Sequence, residues 1–223
     1  MSRTPVRERS LPNYTRAEEI ANMSTHILGV LLGITVLVFA ILISSARRNV
    51  WGIVSGSVYG AFMICLFAVS SVYHGLRPCY GKKIMRVIDH CSIYFLIAGT
   101  YTPIFLSAMR PVHPALAWVC FGAQWALAAA ATVFTAIDHE KYSKLSMATY
   151  IGMGWFVIIA LKPTIEVLST EGFLWLLGGG LAYTLGAVLY GIGKKAPILH
   201  TVFHVFVDIG AAMHAVCILK YAL

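Results

Sequence analysis

Seven long stretches of this chain carry almost no charge, and that pattern constrains the fold more than any other feature. They cover residues 20–46, 49–76, 90–109, 111–137, 145–161, 172–193 and 196–219, and Asp208 is the one charged side chain inside them. A helix needs roughly 17–25 predominantly apolar residues to cross a bilayer. The chain therefore reads as all-α, an integral membrane bundle of seven transmembrane helices, with 145–161 the shortest span. Composition agrees: charged residues make up 12% of the chain, whereas a soluble domain carries about 25% to wet its surface. A soluble fold, a disordered chain and a disulfide scaffold are excluded together.

Residues 1–19 are polar and read as a flexible leader ahead of a transmembrane domain over 20–223. The first apolar run is too long for a secretory signal, and no clear small-residue cleavage site follows it, so an uncleaved first helix is expected. The five cysteines are odd in number and include no C-x-x-C pair. Most lie in or near apolar spans, where a thiol packs as a small hydrophobe.

Orientation follows from Lys and Arg in the short loops. With seven spans, the side that holds the N-terminus carries 12 of them, including Arg3, Arg9, Lys82, Lys83, Arg86, Lys194 and Lys195. The opposite side carries 5: Arg47, Arg48, Arg110, Lys162 and Lys220. The N-terminus is thus expected in the cytoplasm and the C-terminus outside. Basic loops beside anionic head groups account for the net charge of +8 without a nucleic-acid partner. Gly29/Gly33 and Gly56/Gly60 are small pairs four apart, suited to close helix packing. Gly178–Gly180 suggest a tight contact or a flexible point, and Pro103 is expected to kink the third helix.

Ionisable groups inside a membrane are costly and usually functional. The topology sets Ser70, His74, Asp89, His200 and His204 at one depth on the cytoplasmic side. His200 and His204 lie four residues apart, on one helix face, about 6 Å along the axis. With His74 they make three imidazoles, and three protein ligands plus water is the pattern of a catalytic Zn²⁺ site. Asp89 suits a general base or a partner for the water, and Ser70 suits a donor to a developing oxyanion. A polar packing network, or chance spacing, accounts for the same residues, and these readings stay open at this point. Asp208, one turn further along that face, suits an acceptor for a ligand imidazole or a member of a proton path. His214 is ~15 Å beyond His204, too far for a ligand. His26 and His90 read individually as ordinary interface histidines, and His113 and His139 as solvated loop residues. No H-E-x-x-H, G-x-S-x-G, P-loop or dinucleotide fingerprint is present.

Several segments together are distinctive. Glu18-Glu19-Ile20-Ala21-Asn22 followed by His26, Ser70-Ser71-Val72-Tyr73-His74, Asp89-His90-Cys91-Ser92-Ile93-Tyr94, Ile97-Ala98-Gly99-Thr100-Tyr101-Thr102-Pro103 and His200-Thr201-Val202-Phe203-His204 resemble the bacterial hemolysin III family. That family is similar to the progestin and adiponectin receptors (PAQR) and, more distantly, to alkaline ceramidases. The resemblance covers nearly the whole chain. It implies seven helices with a cytoplasmic N-terminus, in a bacterial plasma membrane. It also implies Zn²⁺ on His74, His200 and His204, with Asp89 engaging the zinc-bound water and Ser70 at the same site. Asp208 is outside the shared pattern.

Two functions follow as expectations. One is a zinc-dependent hydrolase of lipid amide or ester bonds, with membrane lipids as substrate. The other is a non-catalytic lipid sensor that regulates membrane homeostasis. The cytolysis of the family name ranks below both, because a toxin must be soluble before insertion, and so does a proton or ion path through Asp208, His204 and His214.

Overall fold

The computed structural model describes residues 4–192 and 198–223. Arg3, Lys194 and Lys195, which entered the orientation count, lie outside the described residues. Within them the chain is helical, with no strand: α1 Arg16–Ala46, α2 Val50–Gly75, α3 Tyr80–Pro103, α4 Pro114–Asp138, α5 Ser143–Gly154, α6 Leu161–Ile192 and α7 Ile198–Cys217.

Local sequence sets these boundaries. Thr15 and Glu18 form a reciprocal capping box at the start of α1, with Thr15 N–H donating to Glu18 Oε2 at 2.8 Å and Glu18 N–H to Thr15 Oγ1 at 3.3 Å. Asn49 caps α2 by accepting from Gly52 N–H at 2.9 Å, and Pro114 opens α4, where a missing N–H costs nothing. Pro103 closes the regular part of α3, and a π-helical turn over Ile104–Met109 continues it. Proline removes a backbone donor, so the ladder is re-registered there.

Among the described residues, six stretches are long and apolar enough to cross a membrane: Arg16–Ala46, Val50–Gly75, Tyr80–Met109, Pro114–Asp138, Ser143–Ile192 and Ile198–Ala222. The expected fifth and sixth spans fall within one of them. From α5, a 3-10 turn over Phe156–Ala160 leads directly into α6. Lys162, Glu166 and Glu171 interrupt the apolar pattern, but they are compatible with helix and do not end it. The break comes instead at Ser169, whose φ of 62° and ψ of 168° lie outside helical geometry.

α3 is the central helix: 78% of its apolar window is buried, against 28–44% for the other five stretches. α1 and α2 pack tightly, as their glycine pairs suggested. A methyl group on Gly56 would lie 2.8 Å from Ala40 Cβ, and one on Gly60 2.7 Å from Leu37 Cβ. A methyl on Gly179 would run into the His214 ring, and one on Gly178 into Met213, whereas Gly180 has open space. All five cysteines are free.

Each end of the bundle is tied by its own contacts. At one end, Asn49 Nδ2 donates to Ser107 Oγ at 2.9 Å, His113 pairs with Glu166 at 2.9 Å, and Tyr221 donates to Glu171 at 3.1 Å. At the other, Thr4 N–H donates to Asp138 Oδ2 at 3.1 Å, Lys83 to the Arg7 carbonyl at 2.6 Å, and Arg86 to the Ser10 carbonyl at 2.8 Å. The segment expected as a flexible leader makes this second set of contacts, and α1 already begins at Arg16.

Candidate metal centre

α2 delivers His74 from its last turn, and the first turns of α7 deliver His200 and His204. The three Nε2 atoms converge. His200 Nε2 lies 3.4 Å from His74 Nε2 and 3.1 Å from His204 Nε2. One ligand atom from each histidine falls within 4.8 Å of the others. Three nitrogens at tetrahedral corners around Zn²⁺ stand about 3.4 Å apart, given Zn–N bonds of about 2.0–2.1 Å. The donor set therefore fits a metal ion of zinc's size.

His74 is held in the tautomer a metal requires. Its Nδ1–H donates to Glu19 Oε2 at 2.7 Å, because a carboxylate can only accept. The proton on Nδ1 leaves the Nε2 lone pair facing the cluster. A carboxylate behind a ligand imidazole also raises its basicity and fixes the ring. Glu19 is anchored in turn by Lys82, whose Nζ reaches Glu19 Oε1 at 2.6 Å and the Leu76 carbonyl at 2.9 Å. Asn22, fully buried on the same face of α1, accepts from the Thr201 hydroxyl at 2.6 Å and ties α1 to α7 between the two ligand histidines.

Sequence reasoning missed Glu19 because it was counted with the polar leader. The signal was present: residues 19, 22 and 26 have i, i+3, i+7 spacing, which puts Glu19, Asn22 and His26 on one helix face. His26, read as an ordinary interface histidine, packs against the cluster with its ring centroid 3.8 Å from that of His204, and neither of its nitrogens has a partner among the described residues.

Ser70 and Asp89 line the same cavity as His200 and His204. The cavity has a volume of about 170 Å³ and continues past Ile97, Tyr101 and Gly180 to His214. Its walls are mostly apolar. Fourteen residues of α7 separate His200 from His214, a rise of about 21 Å. Asp208 is not among its lining residues. Its Oδ1 is buried without a partner among the described residues, and the carboxylate that contacts a ligand imidazole is that of Glu19.

Tyr14 also packs on the cluster. Its ring stacks on His200 at 5.0 Å and 13° and sits 5.9 Å from His74. Burial holds its hydroxyl in the neutral form, far above its ordinary range. Arg9, 2% exposed, anchors the segment that leads to Tyr14. Its guanidinium donates to the Thr4 carbonyl, to the Ile137 carbonyl at 2.7 Å and to His139 Nδ1 at 3.2 Å. His139 is buried in this clamp and not solvated as its loop position suggested. Burial, then the neighbouring Arg86, His90 and Arg9, bring its pKa down to about 3.

A family model described as haemolysin-III related matches residues 14–215. The chain is 40% identical to the hemolysin-3 homolog of Bacillus subtilis, over 93% of this chain and 96% of that protein. It is 37% identical to hemolysin-3 of Bacillus cereus, over 92% of each. It is also 31% identical to the human monocyte to macrophage differentiation factor, over 98% of this chain and 90% of that protein. With six stretches among the described residues long and apolar enough to cross a membrane, these matches identify a multi-pass protein of the bacterial cell membrane.

Proposed function

We propose a function from one premise: the chain belongs to the haemolysin-III-related family. It crosses the membrane seven times, with its N-terminus in the cytoplasm. The stretch Ser143–Ile192 holds 50 residues, about 75 Å if helical, more than twice the ~30 Å hydrocarbon core. The break at Ser169 supports dividing it into two crossings. So do the contacts of Glu166 and Glu171 with His113 and Tyr221, at the end of the bundle away from the leader.

At the cytoplasmic side, His74, His200 and His204 would hold Zn²⁺, and the protein hydrolyses an amide or ester bond of a membrane lipid. The observation that carries this reading is the convergence of three Nε2 atoms, one of them fixed by Glu19, at the mouth of a long apolar cavity. Zinc bound there would supply a Lewis acid and lower the pKa of a water molecule. Glu19 holds the His74 proton on Nδ1 and orients Nε2 toward the ion site. Asp89 accepts the proton of the attacking water and later returns it to the leaving group. Ser70 donates to the carbonyl oxygen as negative charge grows there. The cavity wall from Ile97 to His214 holds the apolar chain and fixes the scissile bond beside Asp89.

The test is turnover of a lipid amide and the matching ester by detergent-purified protein, before and after zinc removal. Zinc-dependent hydrolysis, reduced about 10²–10⁴-fold in Asp89→Asn, is the expected result. Full zinc occupancy with no turnover of either lipid refutes the hydrolase and leaves the sensor.

A further inference from the structure

We infer that residues 4–15 form a strap that seals the cytoplasmic side of the histidine cluster, with Tyr14 as its cover and Arg9 as its clamp, so that the site takes its ligand from the membrane and not from the cytosol.

Tyr14 lies flat on His200 and is not among the residues that line the cavity. The strap is held over its whole length. Arg9 buries a full positive charge to bond two backbone carbonyls and the His139 ring, which joins the strap to the C-terminal end of α4. Asp138 accepts from Thr4 N–H at the same place. Lys83 and Arg86 of α3 donate to the strap carbonyls of Arg7 and Ser10. Its C-terminal residue, Thr15, caps the helix that carries Glu19, so the strap ends one turn from the carboxylate that orients His74.

A buried guanidinium with mainly neutral partners is costly unless those partners are fixed, and this cost favours one docked position over a mobile tail. A soluble ligand approaching from the cytoplasm meets the Tyr14 ring before any histidine nitrogen. A lipid in the bilayer has the apolar cavity as its route. The selection of membrane ligands rests on the metal-site reading above, whereas the closure of the site does not.

The experiment uses full-length purified protein in two arms, with Tyr14→Ala removing the cover and Arg9→Ala releasing the clamp. In metal-free protein, diethylpyrocarbonate modification of His200 is followed by mass spectrometry. In zinc-loaded protein, loss of zinc to EDTA is timed. Both substitutions are expected to raise both rates at least about tenfold, the signature of a local opening that no longer needs to occur, with zinc stoichiometry unchanged at the start. Tyr14→Phe keeps the cover and is expected to behave as wild type. Wild-type rates of His200 modification in both alanine variants overturn the strap. Protein that binds no zinc refutes the metal site, and the His200 arm still decides the strap.

Discussion

His204 and His214 stand on one helix, ten residues apart, and both are buried, yet their surroundings give them different work. His204 turns Nε2 toward His200 at 3.1 Å, with His74 and His26 packed around it. His214 gives its Nε2 proton to the Leu176 carbonyl at 3.0 Å and lies against Gly179, where no other residue would leave room for the ring. One histidine meets three other imidazoles, and the other meets a backbone. Residue type and burial are the same, so the difference comes from what α1, α2 and α6 bring alongside α7. A buried histidine in a membrane helix acquires chemistry when other helices aim lone pairs at it. It becomes a packing bolt when they offer a carbonyl.

Substitutions can break this contrast or sharpen it. The largest effect short of removing a ligand is expected at Glu19. Glu19→Gln takes away the carboxylate behind His74 and should weaken zinc binding about 10–100-fold, read by competition with a chelating dye. Asp208→Asn, which touches no ligand imidazole, should leave that affinity unchanged. Equal losses in the two variants would erase the distinction between them. Next, Gly179→Ala forces a methyl into the His214 ring and should cost about 1–3 kcal/mol in a detergent unfolding assay. Gly180→Ala meets open space and should stay within about 0.5 kcal/mol of wild type. Neither should change zinc stoichiometry.

The smallest effect concerns a third histidine, His139, outside the membrane. Its folded pKa is brought down from 6.5 to about 3. The unfolded chain therefore binds a proton below pH 6.5 that the folded chain refuses. The stability this group contributes is complete above pH 6.5 and declines as pH falls from there toward 3. Thermal melts between pH 7.5 and 5 should fall less steeply for His139→Gln than for wild type. Parallel curves would show that His139 is not held neutral in the clamp.

The residues that converge are largely legible in the sequence. Loop charges set His74, His200 and His204 at one depth, and helical spacing put two of them on one face. Glu19 was not legible in that way, because a charged residue at the edge of an apolar run looks like the start of a loop. Its pairing with His74 spans 55 positions, which no local pattern reports. Arg9 and Tyr14 were hidden for the same reason: polarity marks the leader as solvated, while its hydrogen bonds to α3 and α4 are tertiary. The fifth and sixth spans show the converse: Lys162, Glu166 and Glu171 interrupt the apolar pattern, whereas the backbone stays helical to Ser169.

The most direct test is metal content by mass spectrometry of detergent-purified protein after zinc supply and desalting. Wild type, His200→Ala/His204→Ala and His214→Ala are compared, each checked for folding. The account predicts about one zinc per chain in wild type and in His214→Ala, and none in the double variant, since metal binding needs the converging ligands and not histidine content. Folded wild type without zinc, or a double variant that retains it, would contradict the central claim.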